Sequence, residues 1–73
     1  MPENSTNEEE QHNRNIIYLI EEYGNRLGQN TIARTYQEMR SRYRDARIRI
    51  YVPLFVMRNT KETLSRLLMD VRL

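Results

Sequence analysis

A chain that transforms a substrate needs a nucleophile, a base or a metal, and residues of those kinds are scarce here. The one histidine, His12, stands in a polar stretch and cannot hold a metal ion by itself. There is no cysteine, which removes thiolate catalysis, thiolate metal sites and disulfides together. Carboxylates come as Glu8-Glu9-Glu10 and Glu21-Glu22, charge runs of the sort that solvated faces carry. None reads as a buried acid–base pair. Gly24 and Gly28 are the only glycines, too few for a phosphate-cradling loop. Without a nucleophile–base–acid set, the chain reads as non-enzymatic, with no cofactor and no metal expected.

Arginine is the type in excess, supplying eleven of the twelve bases. Arg34, Arg40, Arg42, Arg44, Arg47 and Arg49 stand against Glu38 and Asp45 between residues 34 and 49, a local charge of +4. On a helix, Arg40, Arg44 and Arg47 would share one flank within ~60°. A recognition helix presents arginines to phosphates in that way. Arg34 and Arg42 point to other sides, however, and no Asn or Gln accompanies the flank for base readout. Nucleic acid is thus the alternative partner, in a small DNA- or RNA-binding regulator, with Arg40, Arg44 and Arg47 as the candidate contacts. Residues 1–25 carry a net charge of −5 and residues 26–73 a net of +7. That split equally lets arginines of the second helix pair with Glu21, Glu22 or a second protomer.

Seventy-three residues make one domain, and a chain that short buries only about 60% of the surface it exposes when unfolded. Small scaffolds below ~70–80 residues usually add disulfides, a metal or a partner chain. With the first two gone, oligomerisation remains. The lack of cysteine agrees with a reducing compartment. The N-terminal residues show no signal-peptide pattern, and no apolar run approaches the ~18 residues of a membrane span. A cytoplasmic protein without a membrane partner is expected.

Three helices are expected to position what chemistry there is. Residues 1–13 are polar and read as a disordered tail running into a frayed helix start, with the bundle spanning 14–73. The first helix begins near Glu8 or Asn13 and ends near Asn25, with Ile16, Ile20, Tyr23 and Leu27 as its apolar stripe and Ile17 and Leu19 on the flanks. Tyr18 points away from that stripe. Gly24 or Gly28 would supply a left-handed residue at its end. A second helix, capped by Asn30 or Thr31, should run to Ala46 with Ile32, Thr35, Tyr36, Met39, Tyr43 and Ala46 on one face. Arg47 to Val52 alternates like a short strand, but a lone strand has nothing to pair with and Pro53 would cut it. A third helix from near Ile50, with Pro53 in its first turn, is favoured. Its core stripe is Val56, Met57, Thr60, Leu64, Leu67, Leu68 and Val71.

That third helix carries a surplus. Tyr51, Leu54, Phe55 and Met69 lie opposite the core stripe, clustered within ~100°. A helix apolar on two sides must be covered twice. Either the first helix folds over the second side, or the patch is an ordinary exposed apolar spot, or another copy of the chain covers it; the last is the expectation, an all-α three-helix bundle paired into a homodimer.

The run Asp45-Ala46-Arg47-Ile48-Arg49-Ile50-Tyr51-Val52-Pro53-Leu54-Phe55-Val56 resembles a short bacterial three-helix-bundle dimerisation domain. Such domains occur as small stand-alone proteins and in front of arsenate-reductase-like phosphatases. Arg58 and Leu64 fall where that pattern has its later Arg and Leu, and the likeness covers about residues 15–68. Where the pattern usually has an acid before the aromatic, this chain has Ile50. The resemblance implies dimerisation and nothing enzymatic; another protein is the other partner left open. Ile48, Ile50, Tyr51, Leu54, Phe55 and Arg58 form the expected interface.

Overall fold

A computed structural model of the chain describes the backbone of residues 2–71 and the side chains of residues 7–69. Helix α1 spans Pro2–Tyr23, α2 Gln29–Ser41 and α3 Val52–Val71. The cross-helix pairs give the directions. His12 and Glu9 of α1 meet Tyr36 and Arg40 of α2, so these two run antiparallel. Asn15 meets Pro53 while Tyr18 meets Lys61, so α1 and α3 run parallel, up-down-up.

The core follows the apolar stripes of α2 and α3. Ile32, Tyr36 and Met39 from α2 and Val52, Val56 and Leu64 from α3 are buried together with Leu19 of α1. Ile16, Ile20, Tyr23 and Leu27 only half-bury around them, so Leu19, which the periodicity sets on a flank, is the residue α1 drives into the centre. Leu27 packs from the turn. Thr35 and Thr60 are buried with their hydroxyls donating to the carbonyls of Thr31 and Val56 one turn back, which satisfies them without any cross-helix partner. Val71, also on the expected stripe, lies outside the described side chains.

Several boundaries differ from the sequence pattern for identifiable reasons. The polar front of the chain is helical from Pro2, and His12 within it is fully buried. Glu8, Glu9 and His12 there are held by partners on α2 and beyond it, as set out below. Helix α2 is capped by Gly28 in extended geometry, with no side-chain cap from Asn30 or Thr31. It stops at Ser41, five residues short of Ala46. Beyond it the chain tightens into turns, with Tyr43 N–H bonded to the Arg40 carbonyl at 3.0 Å and Ala46 N–H to that of Tyr43 at 3.1 Å. Arg49 then donates one nitrogen to the carbonyls of Tyr43 (2.8 Å), Arg44 (3.1 Å) and Ala46 (3.3 Å). One guanidinium replaces the helical turn that would otherwise satisfy those carbonyls.

No glycine takes a left-handed conformation. After Tyr23 the turn closes without a positive φ, the Leu27 N–H reaching the Tyr23 carbonyl at 2.9 Å. Gly24 matters through space instead, because a Cβ there would sit 2.3 Å from the Ile20 carbonyl oxygen. Residues 47–51 form a loop, and α3 starts with Pro53 in its first turn, where a missing N–H costs little.

Candidate functional site

Two features of the chain face outward or inward in ways its packing alone does not require. The first is apolar. Ile48, Ile50, Tyr51, Leu54 and Phe55 range from 38% exposed at Phe55 to 75% at Ile50, so none of them is buried within the single chain. Arg58 is exposed one turn further along α3. Both the loop and the helix contribute, because α3 begins immediately after Tyr51 and turns Leu54 and Phe55 to the side opposite buried Val52 and Val56.

This face has internal order. The rings of Tyr43 and Phe55 stack with centroids 6.0 Å apart and an interplanar angle of 25°, and Tyr51 tilts against Phe55 at 6.3 Å. The Asn59 amide donates to the Tyr43 hydroxyl at 2.6 Å, fixing that ring. On the other side of the loop, Ile48, Ile50 and Pro53 line a groove of about 500 Å³ whose far wall is Asn7 and Gln11 of α1. Tyr18 lies apart from this surface, exposed, with the Lys61 ammonium 5.0 Å from its ring centroid.

The second feature is polar and sits where α1, α2 and the loop meet. His12 is fully buried, its Nδ1 2.6 Å from the Tyr36 hydroxyl and its Nε2 3.2 Å from Glu8 Oε2. Asn15 donates to the Tyr36 oxygen and to the Pro53 carbonyl, each at 3.0 Å. Glu8 also receives Arg49, at 3.2 Å from Nε and 2.6 Å from a terminal nitrogen, a bidentate pair. One proton arrangement satisfies every member. The Glu8 carboxylate only accepts, so Nε2 carries the histidine proton, and the Tyr36 O–H donates to a bare Nδ1. Burial holds the His12 pKa below its usual value, and burial likewise raises that of Tyr36. The hydrogen bond from Arg49 lowers the Glu8 carboxyl, and Glu8 in turn raises Arg49.

Periodicity misses this network because the polar residues were set apart from the stripe. A signal existed: Glu8, His12, Asn15 and Leu19 recur every three or four residues, extending the inward side of α1 toward its start.

The arginine flank expected on one helix is divided by the end of α2 at Ser41. Arg40 is on α2 and pairs with Glu9, while Arg44 and Arg47 lie in the loop after the helix has ended. The acids that engage Arg40 and Arg49 are Glu9 and Glu8, where the charge split pointed to Glu21, Glu22 or a second protomer. Arg40, Arg44 and Arg49 do line a shallow cavity of about 290 Å³ with Gln37 and Ser41, though Arg40 and Arg49 enter it already paired.

Among the described residues, no group of His, Cys, Asp and Glu is arranged to hold a metal ion, and no helix is long and apolar enough to cross a membrane. Comparison of the chain with protein-family models, with curated proteins and with solved structures gives no match in any of the three.

Proposed function

We propose that the chain is a non-enzymatic interaction module that pairs with a second copy of itself through Ile48, Ile50, Tyr51, Leu54, Phe55 and Arg58. The observation that carries this reading is five large apolar side chains within eight residues, none of them buried, on the loop before α3 and on the side of α3 away from the filled core. Fully burying one such side chain is worth roughly 1.5–3 kcal/mol. Contributions from both protomers reach the scale of association costs, about 4–15 kcal/mol. Arg58 and Glu62 share the exposed side of α3 with the apolar residues, so the face carries both charge signs and can oppose its own copy across a twofold axis.

Nucleic-acid binding through Arg40, Arg44 and Arg47 has weaker support, since Arg40 is already engaged by Glu9 and the three span a helix end. Sedimentation equilibrium at micromolar concentration is the test. Twice the 8.9 kDa chain mass is expected. A species of 8.9 kDa whose helicity is unchanged on dilution overturns the pairing. A titration with random duplex DNA at ~50 mM salt is expected to stay flat, whereas phosphate contacts would give a strong signal there.

A further inference from the structure

Resting on that reading of the apolar face, we propose that Glu8, His12 and Arg49 form a proton-operated latch that holds the face in its pairing-competent shape and releases it on acidification. The geometry joins three facts. Ile48, Ile50 and Tyr51 sit on the segment between α2 and α3, which lacks regular structure of its own. That segment is held by Arg49, which gathers three of its carbonyls and is itself clasped by Glu8 from α1. Glu8 shares its carboxylate with His12, the buried group that pins the front of α1 to Tyr36 of α2. Loosen His12 and the front of α1 leaves with Glu8, so the loop loses its anchor.

Protonation is what loosens it. A second proton on His12 would occupy Nδ1, so the Tyr36 hydroxyl would have to accept from both His12 and Asn15. Its own hydrogen would then be left without an acceptor in a buried place, a costly state. The charged groups around the ring do not rescue the imidazolium. Glu8 and Glu9 of α1 favour it, but Glu8 is already neutralised by Arg49 from the loop and Glu9 by Arg40 of α2. Arg40 itself opposes a further positive charge, and among the described residues α3 meets the network at the Pro53 carbonyl bound to Asn15. The open state, with His12 in water, therefore takes the proton more readily than the closed one. If released His12 titrates at its ordinary 6.5 and the held one stays neutral, opening gains up to about thirtyfold between pH 7.5 and 5.0.

Amide hydrogen exchange on the full chain at pH 7.5 and 5.0, corrected for intrinsic rates, reads the latch directly. Sedimentation at the same two pH values reads the pairing. Since His12 is the only histidine, its ring resonances report its own titration without ambiguity. Expected are a His12 midpoint below 6.5 and faster exchange in residues 42–51, while amides of Ile32–Met39 and Val56–Leu64 stay protected. The dimer weakens in step. His12→Gln, which cannot charge, is expected to make loop exchange independent of pH over this range. Tyr36→Phe, which removes the donor to Nδ1, is expected to raise the midpoint. The latch is overturned by loop exchange that ignores pH in the wild type, by an unchanged pH response in His12→Gln, by a midpoint at or above 6.5, or by loss of protection in α2 and α3 together with the loop. A chain that is monomeric throughout yet shows the loop transition sinks the pairing and leaves the latch standing.

Discussion

The Nδ1 of His12 lies 2.6 Å from the Tyr36 hydroxyl across the α1–α2 contact, twenty-four residues apart in sequence. That bond turns a polar segment into part of the folded core. Tyr36→Phe keeps the ring and its packing but strands His12 Nδ1 and one Asn15 donor, both in protein surroundings. A loss of about 1–3 kcal/mol is expected, the cost of leaving a buried group unsatisfied. Urea unfolding at pH 7.5 measures it, and a change within ~0.3 kcal/mol would mean the bond is not formed.

Stability should fall on both sides of neutrality. His12 has a folded pKa below 6.5, so the unfolded chain binds more protons as pH drops past 6.5, and stability declines from there toward the lowered folded value. Glu8 adds a second acid limb: its folded pKa lies below 4.5, so its contribution is present above 4.5 and is lost as pH falls through the lowered value. Tyr36 works in the other direction. Its folded pKa is raised above 10.0, so its contribution is complete below 10 and disappears as pH rises beyond. Thermal melts from pH 4 to 11 should show a plateau near neutrality. His12→Gln is expected to flatten the stretch from pH 6.5 to 5 alone.

Arg49 acts through shape as much as charge. A lysine keeps the charge yet cannot hold Glu8 bidentately and three carbonyls at once. Arg49→Lys is expected to cost about 1–2 kcal/mol, the lower end applying because 40% of the side chain is open to solvent. The loss should appear as faster amide exchange in residues 42–51, with little change in α2 or α3. Unchanged exchange in the loop would count against its anchoring role.

The two glycines should respond oppositely to alanine. At Gly24 the added Cβ would sit 2.3 Å from a backbone oxygen, which cannot rotate aside, so the turn must open. About 1–3 kcal/mol is expected, as for other overpacked sites. At Gly28 nothing lies within 4 Å, and φ −67°, ψ 151° suits any residue. Gly28→Ala is expected to be neutral or to stabilise by up to ~1 kcal/mol through the unfolded chain. Differential scanning calorimetry of the two variants side by side would show the contrast or its absence.

The helical stripes were legible because Ile32, Thr35, Tyr36 and Met39, or Val56, Thr60 and Leu64, recur at the helical period and end up buried. The exposed side of α3 was legible for the same reason in reverse, as Tyr51, Leu54 and Phe55 fall half a turn away from those residues. What could not be read was decided by long-range polar partners. The end of α2 at Ser41 depends on Arg49 collecting carbonyls, and the order of the front of α1 depends on Tyr36, Arg40 and Arg49. Periodicity reports which side of a helix is apolar. It says nothing about a histidine whose partner is twenty-four residues away.

Phe55 offers the sharpest separation between pairing and simple folding. Within one chain its ring touches Tyr43 and Tyr51 and remains partly exposed, so Phe55→Asp should cost the isolated chain about 0.5–1.5 kcal/mol of aromatic contact at each pair, in addition to the part of the ring that is buried. In a dimer centred on this face the same change sets two carboxylates against apolar surface, which breaks the association outright. The wild-type melting temperature should therefore rise with protein concentration, since a partner that binds only the folded chain stabilises it by mass action. The melting temperature of Phe55→Asp should be lower and independent of concentration, with helicity retained at low temperature. Wild-type melts that do not move with concentration, or a variant that melts like the wild type, would show that this surface is simply exposed and that α3 needs no second cover.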